Sequence, residues 1–291
     1  MAARADRLVT GVFADRDLAR RLERALELDL SRFAASTAAL YPALGAEYRD
    51  FGDGAALWMG PESPVNIAAG FGMDGEVAED IVDEVECFYS YHVDQAKFAV
   101  CPLADVTLLR ALGSRGFAPC DFENVLVREL DALPAEEPDP SIEISIVAPG
   151  ELGTWIDTVA YGFSDGAEPT EAEMRLAQVV AHRDNVVLLL ARVDGVPAGT
   201  GELVVDDAVG WLSADTTLPA YRGRGVQTAM QLARLRLARE AGCELAVTEA
   251  TPGSPSQRNM ERRGFRIVYT RVEMTRLGCG LSGVDTGGRH A

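Results

Sequence analysis

The chain has 291 residues, 47% hydrophobic and 25% charged, room for about two domains of ~150 residues each, and this composition excludes a disordered or fibrous protein. Its longest apolar run, Val186 to Ala191, is far short of the ~20 residues a membrane-spanning helix needs. No signal-like apolar stretch follows Arg4, Asp6 and Arg7, so the cytoplasm is the expected compartment.

The first signal along the chain is Gly70-Phe71-Gly72-Met73-Asp74-Gly75, a G-x-G-x-x-G string before a helical pattern over 76–91. Taken alone it reads as a weak dinucleotide fingerprint. Asp74, Glu76, Glu79, Asp80, Asp83, Glu84 and Glu86 crowd it, and no Lys or Arg occurs between Arg49 and Lys97. A diphosphate there meets like charges at roughly 1 kcal/mol per close pair, which speaks against a phosphate site.

Next come a strand at 98–100, a helix over 105–114, the triplet Arg115-Gly116-Phe117 and a strand at 124–127. Asp131 to Pro140 (DALPAEEPDP) is rich in Pro and acids and reads as a linker. Beyond it the periodicity predicts a strand at 142–147, helices near 150–163 and 170–182, and strands at 186–193, 196–205 and 209–218. The first two of those three strands turn at Asp194-Gly195. A helix over 226–241 carries Val226, Ala229, Met230, Ala233 and Leu237 on one face and stops at Gly242. A strand at 245–249, a helix over 254–263 and a strand at 266–274 complete it; the Gly/Ser-rich tail from 278 is expected to be flexible.

The strand, helix, Arg-Gly-Phe, strand order of 98–127 recurs at 245–274, where the triplet is Arg263-Gly264-Phe265. Each Gly falls where a helix needs a left-handed residue before a strand begins. A duplicated α/β (α+β) fold follows: one domain over 1–130, a linker at 131–140, a second domain over 141–277 and a tail over 278–291.

Charge and composition remove several chemistries. The net charge is −18, with 12 basic and 26 acidic side chains in residues 1–140 against 15 and 19 in 141–291. Nucleic-acid binding needs clustered Lys and Arg and is not expected; the negative field favours cationic small molecules or basic peptides. Cys87, Cys101, Cys120, Cys243 and Cys279 form no C-x-x-C, and with only His92, His182 and His290 beside them no metal site is expected. The single lysine, Lys97, excludes a P-loop.

The informative segment is Leu218-Pro-Ala-Tyr-Arg222-Gly223-Arg224-Gly225-Val226-Gln227-Thr228, between a strand and an amphipathic helix. First-turn amides of a helix lack internal partners and, with the helix dipole, make an anion site. Gly223 and Gly225 let the backbone approach a diphosphate, while Arg222, Arg224 and Thr228 add charge and a hydroxyl.

Over residues 141–276 the sequence resembles the GNAT superfamily of N-acetyltransferases. The family's Arg/Gln-x-x-Gly-x-Gly/Ala loop is matched by Arg222, Gly225 and, imperfectly, Gln227. The resemblance implies two GNAT-like domains, each a mixed, mostly antiparallel sheet flanked by helices, the first having lost its cofactor site and helping to shape the acceptor cleft. It implies acetyl-CoA as co-substrate, held by loop 222–228, by main chain around Thr216, Thr217 and Leu218 between two splayed strands, and beside Asn259. Gln227 replaces the usual small residue but keeps its backbone N–H. Where the family often has a proton-donating tyrosine, Met260 cannot donate, which leaves Ser256 or water as candidate acid, or a thiolate that leaves unassisted.

The expected function is transfer of an acetyl group to a primary amine of a small molecule or peptide by direct attack on the thioester. Two alternatives are a CoA-binding module without turnover and an enzyme for longer acyl chains. Attack needs a deprotonated amine; Asp215 and Glu202 are the candidate bases, with Glu249 at the end of the next strand. Trp155, Tyr161, Phe163 and Trp211 are candidates to line the acceptor pocket, although aromatics at such spacing are more often core.

Overall fold

In a computed structural model, residues 12–92, 94–133 and 139–276 are described; the tail over 278–291 and half of the expected linker, 134–138, lie outside them. The chain runs α1 (Arg16–Leu40), β1 (Glu47–Asp50), β2 (Ala55–Trp58), β3 (Ala68–Ala69), α2 (Ile81–Tyr91), β4 (Lys97–Val100), α3 (Val106–Ser114) and β5 (Phe117–Glu129). It continues through β6 (Ile142–Ile146), α4 (Leu152–Phe163), α5 (Glu171–Ala181), β7 (Val186–Val193), β8 (Val196–Asp206) and β9 (Val209–Thr217). It ends with α6 (Val226–Glu240), β10 (Leu245–Ala250), α7 (Pro255–Arg262) and β11 (Arg266–Arg276). The fold is mixed α/β, with a mostly antiparallel sheet between helices, as expected.

Among the described residues, eleven strands join in one sheet, ordered β1-β2-β3-β4-β11-β5-β10-β9-β8-β7-β6. Internal symmetry is plain in the pairing. β1-β2-β3 and β7-β8-β9 are antiparallel meanders, and β3–β4 and β9–β10 are the two parallel contacts. The final strands are exchanged: β11 pairs with β4 and β5 pairs with β10, both antiparallel, and β5 and β11 pair with each other at the centre. The two halves expected from the sequence therefore share a single sheet.

Local chemistry accounts for the duplicated unit. Asp105 and Ser254 cap α3 and α7 by accepting from Thr107 and Gln257 amides. Gly116 and Gly264 then take φ of 80° and 84°, the left-handed exit that only glycine adopts without strain. β5 is far longer than the expected 124–127, because its polar first half is held by β11 rather than by apolar burial. α2 starts at Ile81 rather than 76; the Val77 amide donates to the Thr107 hydroxyl at 2.8 Å instead of entering a helix.

α1, α4 and α5 cover one face of the sheet and α2, α3, α6 and α7 the other. α1 crosses the join between the halves. Ala19 and Leu22 pack on Val125, Val127, Val209 and Val247, while Leu30 and Ala34 pack on Leu57, Ala99 and Val179, and each buried Leu or Val contributes about 1.5–3 kcal/mol. Arg32 on α1 also makes a two-pronged ion pair with Asp206 at 2.6 and 2.7 Å.

Candidate functional site

β9 and β10 are hydrogen-bonded over only three residues each, Val209–Trp211 against Leu245–Val247, and separate beyond them. The Thr248 hydroxyl donates across the widening gap to the Leu212 carbonyl at 3.0 Å. A bulge adds to the opening: the β8–β9 register slips between Thr200 and Glu202, and Ala214 takes φ of 50°. Bulges increase local twist and re-aim side chains; here Asp215 turns to the α6 face and Thr216 to the α4 face, where it fills the space a Cβ on Gly162 would need.

At the open end the chain leaves β9 through Leu218, whose amide donates to Ala198 at 2.9 Å, and a short turn over Pro219–Tyr221. Gly223 and Gly225 follow at φ of 74° and 87°, and Gly225 caps α6 without any side-chain hydrogen bond. The first-turn amides of Val226, Gln227 and Thr228 are thus left for an outside acceptor. A Cβ on Gly223 would meet nothing within 4 Å, so the corner is open to a ligand. The glycine turn expected between this strand and helix is formed, and its uncapped amides and open space would fit a diphosphate.

Its arginines are already oriented. Arg222 donates to the Thr217 carbonyl at 3.2 Å and pairs with Asp165 at 2.5 Å. Arg224 lies 3.7 Å from Asp194 and over the Tyr221 ring. The Asn259 amide donates to the Gln227 side chain at 2.7 Å, and Arg263 donates to the Thr228 hydroxyl at 2.9 Å. The Gln227 that departs from the family pattern thereby ties α7 to the first turn of α6.

The acid–base candidates fare differently. Asp215 gives one oxygen to the fully buried Arg234 at 2.5 Å, its other oxygen has no partner, and burial raises its pKa. Glu202 is buried and accepts from Arg183 at 2.5 Å and from the Ser213 hydroxyl. Ser256 sits half-buried on the first turn of α7. Met260 is a core residue whose sulfur accepts from Gln231 at 3.1 Å. Trp155 is also core: it is fully buried and donates to the Leu189 carbonyl at 3.0 Å, so it lines no pocket. Tyr161 donates to Glu168, Phe163 is exposed, and Trp211 packs on the α1 core.

Sequence reasoning missed a polar cluster on the α1 face where β10 and the exchanged strands meet. Arg271 reaches over β5 from β11 to bind Glu249 on β10, and it donates to Glu23 on α1 at 2.9 Å. Tyr269 donates to the same Glu23 oxygen at 2.7 Å. Glu123 on β5 sits opposite Arg271 in register. Only the exchange brings these four elements together, so no local signal marks the cluster.

In the first half the corner corresponding to loop 218–225 is closed. The Gly72 amide donates to Asp53 at 2.9 Å, the Gly72 carbonyl accepts from Asp105 and Arg16, and the Met73 carbonyl accepts from Arg16 and Arg20. Glu27 fills the space beside Gly70.

Residues 154–265 match the model of the acetyltransferase (GNAT) family. No curated protein matches the chain. The whole fold is similar to that of a GCN5-related N-acetyltransferase from Kribbella flavida (TM-score 0.61, 18% identity, 85% of this chain and 96% of that one). It is also similar to a conserved protein of unknown function from Staphylococcus epidermidis (0.58, 13%, 80% and 94%). A tandem GNAT protein from the clavulanic acid biosynthesis pathway aligns at 0.52 and 15% identity over 79% of this chain and 77% of its own. The family match thus falls on the segment that holds the glycine corner and the splayed strands, residues 154–265.

Proposed function

We propose that this protein transfers an acetyl group from acetyl-CoA to a primary amine of a small, cationic molecule or a basic peptide. The observation that carries this reading is the joint geometry of the β9–β10 opening and the uncapped first turn of α6. Bound there, acetyl-CoA supplies an activated thioester carbonyl. Amides of Val226, Gln227 and Thr228 hold the diphosphate with Gly223 and Gly225 giving close approach, and Arg222 and Arg224 supply positive charge. Main chain of Thr216, Thr217 and Leu218 beside the opening orients the arm, with Asn259 next to it. The amine attacks directly, so C–N forms as C–S breaks.

α6 and the diphosphate corner share one face of the sheet, so the acceptor approaches from the α1/α4 face. The net charge of −18 supports a cationic acceptor. The first half takes no CoA in this reading, because its corner is closed and acidic; it supports the acceptor side. The test is calorimetry with acetyl-CoA, followed by thiol release across a panel of polyamines, amino sugars and basic peptides. One CoA site and amine-dependent thiol release are expected; a CoA site with no thiol from any amine overturns the transferase reading.

A further inference from the structure

We infer that the carboxylate that removes the amine proton comes from the first half of the chain: Glu123 on the exchanged strand β5. This rests on the transferase reading above. β5 is the strand next to β10, one spacing of about 4.8 Å beyond the edge of the β9–β10 opening. Alternation puts Val125 opposite Glu249 on the α1 face and Glu123 two residues further along that face. Glu123 is thus the diagonal neighbour of Glu249, about 7–8 Å between Cα atoms, on the face from which the acceptor arrives. A glutamate there reaches the attacking nitrogen directly or through one water.

The other carboxylates near the opening are engaged. Glu202 is bound by Arg183 and Ser213, Asp215 faces α6 and is bound by Arg234, and Glu249 is bound by Arg271. Arg271, opposite Glu123, is committed to Glu23 and Glu249. Among the described residues Glu123 accepts no hydrogen bond and has no ion-pair partner, and it is half-buried, so solvent or substrate reaches it.

The charged groups around Glu123 are Glu249 on β10, Arg271 and Glu273 on β11 and Asp121 on its own strand, with Glu23 of α1 and Tyr269 behind Arg271. Burial first, and then the Glu249 charge, push the Glu123 carboxyl up to about 8 against the opposing pull of Arg271. A base matched to neutral or slightly alkaline pH is the most effective kind. In the step itself the amine nitrogen bonds to the thioester carbon, its proton passes to Glu123, and the C–S bond breaks. The sulfur leaves as thiolate and takes a proton from water.

The experiment compares wild type, Glu123→Gln and Glu249→Gln, measuring CoA affinity by calorimetry and thiol release against pH with the best amine of the panel. Glu123→Gln is expected to bind CoA within two-fold of wild type and to lose roughly 100-fold or more in kcat, with the acid-side limb near pH 8 gone. Glu249→Gln is expected to keep a limb, moved to lower pH because a like charge is removed. A Glu123→Gln protein with wild-type kcat and an unchanged limb overturns the assignment while the transferase reading stands. If wild type binds CoA and releases no thiol with any amine, the transferase reading fails and Glu123's role with it.

Discussion

The two strand-to-helix corners of this chain share a topology and differ in what occupies their backbone. After β9 the chain makes a glycine corner whose first-turn amides point outward, flanked by Arg222 and Arg224. After β3 it makes another glycine-rich corner, but Asp53, Asp105, Arg16 and Arg20 take up its amides and carbonyls. Its surroundings are acidic: a cavity of about 400 Å³ beside it is lined by Asp53, Asp74 and Glu76 with Phe51, Gly75, Ala78 and Ile81. Glycine spacing alone therefore does not make a phosphate cradle. A cradle also needs free amides and compatible charge.

The largest expected effect tests whether the halves are separable at all. Residues 139–276 expressed alone lack β5 and leave β10 and β11 without their central partner, so no cooperative thermal transition is expected. Co-expression with residues 12–133 should restore it, and a cooperative melt for the isolated segment would contradict the exchange. Next, Arg271→Met leaves Glu23 as a buried charge without compensation and should cost about 3–5 kcal/mol in urea unfolding, which a shift below about 1 kcal/mol would contradict.

At the corners themselves, Gly225→Asp adds a Cβ at φ of 87° and a negative charge beside the diphosphate. CoA affinity should fall at least ~100-fold, or about 2.7 kcal/mol. Glu76→Gln at the acidic corner should leave that affinity within two-fold; a larger change would show that the first half also binds CoA.

The last effect concerns pH. Glu27, Asp29 and Glu123 have folded pKa values raised by burial to about 7, 6 and 8. The native state then holds these protons more tightly than the unfolded chain does, so their contribution to stability is lost as pH rises from about 4 to 8 and is level above. Urea midpoints should fall across that range, and Glu123→Gln should flatten the fall between about 4.5 and 8. An equal slope in the variant would place Glu123 in solvent.

Much of this was legible in residue order. The Asp105 and Ser254 caps, the glycine exits at Gly116 and Gly264 and the Asp194-Gly195 turn act within a few residues, so spacing alone locates them. The Arg222–Thr228 corner was legible for the same reason: both its parts, glycines and the start of a helix, are local. For Trp155 the sequence left cleft and core both open, because which one an aromatic fills depends on what packs against it, here the Leu189 strand. The candidate bases Asp215 and Glu202 were named from strand position, whereas their partners Arg234 and Arg183 come from elements about 20 residues away.

By itself, then, the sequence determined the repeated strand–helix–strand unit, the open corner and the acidic character of its twin, because capping, backbone freedom and net charge are properties of short segments. Tertiary structure alone decided that β5 and β11 trade places and that Glu23, Glu123, Glu249 and Arg271 meet. Strand partners are chosen by burial of whole faces across more than a hundred residues, and a carboxyl's proton affinity by the solvent and charges that this burial leaves around it.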